Sequence, residues 1–353
     1  MQEHRLALLG YGGMARWHHR NIVERVPGLK VVAAWDIRPE ELEKARQSGL
    51  RTYDSLQGLL DDPDTDIVTV ATPNDVHKEL SIACLKSGKH VICEKPVTLN
   101  AQELEQIIAV QKETGKLFSI HQNRRWDKDF LVVKRAIEEG LIGSPYFIES
   151  RVQGSRAESF FGWRAHKQNG GGMVLDWGVH LIDQALQLIR EPVVAVDAQL
   201  HMLFGDEVDD NIKITLRFLS GISYMLEMST NCFIPQPRWH VSGTKGTLMV
   251  EDWSCQGRIV KLKPDSAMQW ADDIVYTQAG PTRTMAPRPK VTTLEEPLPQ
   301  VDANWTEYYE NILAVLDRGA ELIVKPEEAL RVMKVIDTVL AAQSAGHGLA
   351  CHI

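Results

Sequence analysis

Short apolar runs alternate with longer stretches in which apolar and polar positions recur at helical spacing through the first third of the chain. Residues 6–9, 31–34, 67–70, 90–93 and 117–120 are such runs. Unbroken hydrophobicity of this length predicts strands buried on both faces. The stretches near 13–26, 39–47, 75–86 and 101–114 predict helices. Gly49, Gly88 and Gly115 stand just past helix ends, and Pro39 stands at a first turn. Strands alternating with helices predict a parallel sheet with right-handed crossovers, covered on both faces.

After Trp126 the pattern changes. A helix is predicted over 126–139 and a strand over 145–153. An aromatic-rich loop at 159–164 then leads to a helix carrying Asp176. Strand-like runs at 193–203, 211–218, 222–228, 247–250 and 259–262 follow one another without long helices, which favours antiparallel pairing. The stretch 280–301 holds five prolines and predicts an extended surface segment or arm. Two helices, over 304–317 and 326–345, close the chain.

The composition narrows the class. The chain has 353 residues, enough for two cores, and its 44% hydrophobic and 24% charged residues are those of an ordinary soluble protein. A net charge of −8 argues against non-specific nucleic-acid binding. No apolar run suits a membrane span and no secretory signal is visible, so a cytoplasmic protein is expected. Cys84, Cys93, Cys232, Cys255 and Cys351 are widely spaced with no CxxC pair. They predict reduced core thiols rather than a zinc site or disulfide framework.

Gly10-Tyr11-Gly12-Gly13-Met14-Ala15 follows the first strand and opens a helix. This is G-x-G-x-x-A in the strand–turn–helix setting that binds a dinucleotide. Gly10 makes the turn, Gly12 lets backbone approach the pyrophosphate, and Ala15 permits close helix–strand packing. Amides at the helix start, near Gly13 and Met14, receive the pyrophosphate. Asp36 ends the second strand, where a carboxylate binds the ribose hydroxyls and repels a 2′-phosphate, favouring NAD over NADP. Arg38 could instead hold a 2′-phosphate, but is read as solvated or stacked on the adenine. Thr72, Pro73 and Asn74 border the same crevice. His77 is either a cofactor-side contact or a first-turn residue without a ligand. Glu94-Lys95-Pro96 leaves another strand end, which brings Glu94 and Lys95 beside the nicotinamide.

Asp176 and His180 are four residues apart and share one face of a helix. A carboxylate, an imidazole and the Lys95 ammonium can together move a proton on and off an alcohol. The alternative is a buried polar pair satisfied within the helix layer. Asp183 lies on the same face. Three such groups could hold a metal, but a supporting hydrogen bond is the expected role and no metal is expected.

The glycine turn, Thr72-Pro73-Asn74, Glu94-Lys95-Pro96, Asn123-Arg124-Arg125-Trp126 and the segment from Gly171-Gly172 through Asp176-x-Gly178-x-His180 resemble, in order and spacing, the Gfo/Idh/MocA oxidoreductases. The resemblance covers essentially the whole chain. It implies an α/β protein with an N-terminal Rossmann dinucleotide-binding domain, placed at 1–123. A C-terminal α+β substrate-binding and oligomerisation domain with a large, mainly antiparallel sheet follows at 124–353. It implies that Lys95, Asp176 and His180 are the catalytic set, that the Lys95–Pro96 bond is cis, and that the protein is a homo-oligomer, dimer or tetramer. Under that reading His180 takes the hydroxyl proton, Asp176 orients the imidazole or raises its basicity, and Lys95 donates to the substrate oxygen.

Arg124, Arg125, Trp126, Trp163, Arg164 and His166 are candidates to line the substrate cavity, their mix of aromatic faces and polar groups suiting a sugar or cyclitol. Trp163, flanked by Phe160 and Phe161, either closes over a ligand or anchors the loop. Trp239 and His240, near a strand start, are core, interface or cavity rim. The leading reading is an NAD-dependent dehydrogenase of a secondary alcohol on a sugar, glycoside or inositol, with C3 of a glycoside plausible. Two alternatives are a redox-assisted glycosidase with bound NAD and a non-catalytic NAD(P)-binding regulator.

Overall fold

A computed structural model of the chain describes residues 3–155, 160–264, 272–285 and 290–353. The first sheet contains β1 (His4–Leu9), β2 (Leu29–Trp35), β3 (Arg51–Thr52), β4 (Ile67–Val70), β5 (His90–Cys93) and β6 (Phe118–Ile120). Their order is β3-β2-β1-β4-β5-β6 and every pairing is parallel. Leu6, Leu8, Val68, Val91 and Ile92 are fully buried, as unbroken apolar runs require when helices cover both faces. Those helices are α1 (Arg20–Val23), α2 (Pro39–Gln47), α3 (Leu56–Leu60), α4 (His77–Lys86) and α5 (Ala101–Thr114). Asn100 caps α5 through the amide of Glu103. Strand order runs outward in one direction from β1 and in the other from β4, so a crevice opens at their carboxyl ends.

Two segments wind more loosely than periodicity predicted. Met14–His19 is a π-helix leading into α1, and Val174–Gly178 is a π-helix leading into α7 (Val179–Leu188). Such i→i+5 turns are rare and collect at functional sites, and both border the crevice described below.

After α6 (Lys128–Glu138) comes a second sheet, of β7 (Pro145–Gln153), β8 (Val193–His201), β9 (Asn211–Phe218), β10 (Ser223–Ser229), β11 (Trp239–Gly243), β12 (Gly246–Val250), β13 (Gly257–Leu262), β16 (Thr293–Pro297) and β17 (Leu349–Ala350). Its order is β16-β13-β12-β11-β7-β10-β9-β8-β17, antiparallel except for β7 beside β10. Along β9, Ile212, Ile214, Leu216 and Phe218 are buried while Lys213 and Arg217 are exposed. This is the alternation of a sheet covered on one face only. β14 (Asp272–Thr277) and β15 (Gly280–Met285) form a separate hairpin. The stretch 280–301 is therefore not one extended arm. Its first part pairs back on β14 and its last part, β16, closes the edge of the second sheet, while residues 286–289 lie outside the described residues.

α8 (Thr306–Arg318) and α9 (Pro326–Ala345) return to the first sheet. α9 packs on β8 but also on α5 and β6. The Asp337 carboxylate accepts the Ala101 amide, and Ser119 Oγ donates to the Val324 carbonyl. Cys84 and Cys93 are core thiols as expected, whereas Cys232, Cys255 and Cys351 are only partly buried. Among the described residues no helix is long and apolar enough to cross a membrane.

Candidate active site

A cavity of about 930 Å³ occupies the crevice at the carboxyl ends of the first sheet's strands. One wall is the glycine turn. Gly10 has φ +90°, and a Cβ there would lie 2.6 Å from the Ala71 carbonyl oxygen, so only glycine lets the ends of β1 and β4 meet. Gly12, Gly13 and Met14 line the cavity, and a Cβ on Gly12 would approach nothing nearer than Arg38 at 3.9 Å. Asp36 is buried. Its carboxylate accepts the Tyr11 amide at 2.8 Å, the Arg38 amide at 2.9 Å and Arg38 Nε at 3.2 Å. Thr72, Pro73 and Asn74 continue the wall. A tight glycine turn, an open amide row and a fixed carboxylate one strand away fit a dinucleotide.

The floor is built on Glu94, directly after β5. Its Oε1 accepts His19 Nε2 at 2.8 Å and His121 Nδ1 at 3.0 Å, and its Oε2 accepts the Lys95 amide at 3.0 Å. Burial alone would raise the Glu94 carboxyl, but the bonds from His121 and His19 hold it well below the ordinary glutamate value. His19 Nδ1 pairs with the Tyr309 hydroxyl. These three side chains are the one group among the described residues whose ligand atoms lie close enough to hold a metal ion. Their hydrogen bonds already satisfy the carboxylate.

The Lys95–Pro96 bond is cis. Lys95 Nζ donates to the Asp176 carbonyl at 2.8 Å and lies 3.3 Å from Asp176 Oδ1. Burial opposes the charge on Asp176, but Lys95 and then Arg164 outweigh it and lower its pKa. His180 Nδ1 faces Gln122 Oε1 at 3.0 Å. An amide oxygen only accepts, so the proton sits on Nδ1 and Nε2 keeps a bare lone pair. Burial first, then the charges of Lys95 and Arg124, pushes the imidazole well below the ordinary histidine value. Asp176 and His180 do share the cavity. The expectation that Asp176 orients the imidazole is corrected, because Asp176 engages Lys95 and Gln122 takes the orienting place.

Gly171 explains how the substrate-side loop is held. A Cβ there would lie 2.2 Å from the Arg164 carbonyl oxygen, and the Gly171 and Gly172 amides donate to His166 and Arg164 carbonyls. This seats Trp163 and Arg164 in the cavity wall, with Arg164 Nε 3.8 Å from Asp176 and its guanidinium 4.3 Å from the Trp163 ring. Asp209 fastens the start of the next turn through the Val174 amide at 2.8 Å. Arg124 lines the cavity too, lying 4.1 Å from the Trp177 ring and donating to Asp127 at 2.8 Å.

Several expected site residues stand elsewhere. His77 is fully buried behind the wall, its ring nitrogens facing the Pro96 and Thr72 carbonyls at 2.9 and 3.0 Å. Trp126 is buried and donates to Glu307 at 3.0 Å. Arg125 forms a two-pronged pair with Asp183 at 2.7 and 2.8 Å and also reaches Glu328. That pairing removes Asp183 from any ligand set with Asp176 and His180. His166 is exposed beside Glu207. Of the residues left open, Trp239 is core, with its N–H on Asp129 at 2.7 Å, and His240 pairs with Glu149 on the second sheet.

Sequence reasoning missed His18, His19, His121, Gln122, Trp305 and Tyr309. His121 and Gln122 directly follow the run at 118–120, at the same carboxyl edge as Lys95, and that position was an available signal. His18 lines the cavity. Burial and the neighbouring His121 and His19 lower its pKa to about 3. Tyr309 and Trp305 come from the distant C-terminal helix region, which no local pattern connects to the crevice.

The family model described as an oxidoreductase family with an NAD-binding Rossmann fold matches residues 4–122, and the GFO/IDH/MocA C-terminal domain matches residues 130–249. The chain is 28% identical over 346 residues to scyllo-inositol 2-dehydrogenase (NADP(+)) IolW of Bacillus subtilis, covering 95% of this chain and 92% of that protein. It is 29% identical over 258 residues to scyllo-inositol 2-dehydrogenase (NAD(+)) of the same organism, covering 70% and 73%. The crystal structure of an NAD-binding protein from Listeria innocua is 40% identical, with a TM-score of 0.93 over 99% of this chain and 100% of that one. Two family models, joined in one chain across the crevice they both border, make this protein a member of the GFO/IDH/MocA oxidoreductases.

Proposed function

We propose that the cavity is the active site of an NAD-dependent dehydrogenase that converts a ring CH–OH of a sugar, glycoside or inositol to a ketone. The observation that carries this reading is the meeting of Lys95 and His180 in one cavity with the glycine turn. The relatives named as inositol dehydrogenases support a polyol ring as substrate.

Gly10, Gly12, Gly13, Met14, Thr72, Pro73 and Asn74 would hold the dinucleotide, with Asp36 on its ribose. NAD is preferred over NADP because the buried Asp36 carboxylate is fixed by two amides and would repel a 2′-phosphate. When bound, the nicotinamide supplies the acceptor for the hydride. His180, neutral and carrying its proton on Nδ1, takes the substrate hydroxyl proton at Nε2. Lys95 is steered by Asp176 and donates to the substrate oxygen as charge develops there. Trp163, Arg164 and Arg124 enclose and orient the ring.

The test is His180→Ala. Turnover is expected to fall by roughly 10²–10⁴-fold, the usual worth of a positioned acid–base group, with dinucleotide affinity unchanged. Wild-type turnover in the variant would overturn the assignment.

A further inference from the structure

A second, smaller cavity of about 390 Å³ adjoins the first, and the two share Arg124, Trp177 and Trp305 as walls. Lys95, Asp176, His180 and the dinucleotide residues do not line it. Its distinguishing wall is aromatic. Trp177 stands 6.1 Å from the His180 ring on one side and 6.0 Å from the Trp253 ring on the other. Trp253 lies in the turn between β12 and β13 and is 49% exposed. Its ring, with the Arg238 guanidinium 4.7 Å from it and Trp177 beside it, extends the aromatic wall on which the C–H face of a ligand ring can lie.

Charged groups sit among these faces. The Arg124 guanidinium lies 4.1 Å from the Trp177 ring and 5.6 Å from the Trp253 ring. Asp127 accepts from Arg124 at 2.8 Å and from Trp305 Nε1 at 3.1 Å, and Lys128 adds a cation to the same wall. Flat indoles beside hydrogen-bonding charges of both signs match a ring with C–H faces and a rim of hydroxyls. A hydroxyl both donates and accepts, so such a rim suits a wall that carries the Asp127 carboxylate together with the Arg124 and Lys128 cations.

We propose that this chamber is a subsite for a second polyhydroxylated ring, joined to the ring that reacts. The favoured substrate is then a disaccharide or glycosyl-cyclitol lying across Trp177. The proposal rests on the reading of the main cavity as a dehydrogenase site for a polyol ring.

Calorimetric titration of the NAD-loaded protein tests it, using matched pairs: myo-inositol against galactosyl-myo-inositol, and methyl β-glucoside against cellobiose. In at least one pair the two-ring ligand is expected to bind at least about tenfold tighter. Trp253→Ala is expected to bring that ratio close to one, and Trp253→Phe, which keeps an aromatic face, to retain most of it. Equal binding within both pairs, or a ratio untouched by Trp253→Ala, overturns the subsite. Two-ring preference without any reduced dinucleotide keeps the subsite and removes the dehydrogenase reading. Hydride transfer from single rings with no two-ring preference does the reverse.

Discussion

At the scale of single residues, the site is governed by which charge each polar group faces. His180 has an amide oxygen on Nδ1 where many catalytic histidines have a carboxylate, and it is surrounded by burial, Lys95 and Arg124. All three disfavour the imidazolium. A base must be neutral to act, so activity holds wherever His180 is unprotonated. The acid limb of kcat/KM is therefore expected below pH ~6.5, the ordinary histidine value. A limb at or above that value would contradict the assignment. Glu94 acts through others, holding His19, His121 and the Lys95 amide. Glu94→Gln removes the charge that two imidazoles address. It is expected to lower the melting temperature and turnover together, since hydrogen bonds to a charged group are worth about 1.5–3 kcal/mol each. Unchanged melting would show that the network is dispensable. Lys95, Asp176 and His180 could be singled out from the chain because each follows a motif at a strand end or helix start. Gln122 could have been, because it follows a strand at the same carboxyl edge as Lys95, whereas Tyr309 could not, because a tyrosine in a remote helix carries no local mark of what it touches.

At the scale of elements, the parallel strands were legible because each is an unbroken apolar run between helical periods. The alternation along β9 and β10 was equally plain. β14, β15 and β16 were not, because prolines and charged residues mask the β14–β15 hairpin, and β16 pairs with β13 on the far side of that hairpin. Register, not composition, makes β16 an edge strand against β13. The loop bearing Trp163 and Arg164 depends on a single close approach at Gly171. Gly171→Ala would drive a methyl group into the Arg164 carbonyl and displace the cavity wall. The expected result is a loss of about 1–3 kcal/mol, the usual cost of overpacking, together with a raised KM. A variant that melts as wild type with wild-type KM would show that the loop is held by other means.

At the scale of the whole molecule, several wholly or partly buried histidines favour the neutral form. His18 is depressed to about 3 and His90 to about 4, and burial also lowers His77 and His121. An unfolded histidine titrates near ~6.5, so below that pH the unfolded chain binds more protons than the folded one. The stability from these groups is full above about pH 6.5 and is lost as the pH falls toward 4 and then 3. Melting temperature is expected to fall steadily over that window, and a flat profile would contradict the burial of these rings. In the His19–Glu94–His121 cluster the carboxylate already accepts from both imidazoles, so dialysis against a chelator is expected to leave turnover unchanged. A loss restored by a divalent ion would make the cluster a metal centre. The crevice itself joins the carboxyl edge of the first sheet with the segment from Trp163 to His180 and with Trp305, just ahead of α8, which is why only part of it could be read along the sequence.

In the proposed reaction hydride passes directly from a ring carbinol carbon to the dinucleotide. This transfer is tested most directly by mass analysis of the dinucleotide after the protein has acted on polyol rings deuterated at carbon. Reduced NAD carrying one deuterium and an equal amount of keto product are expected. Reduced dinucleotide without the label, or keto product without reduced dinucleotide, would contradict it.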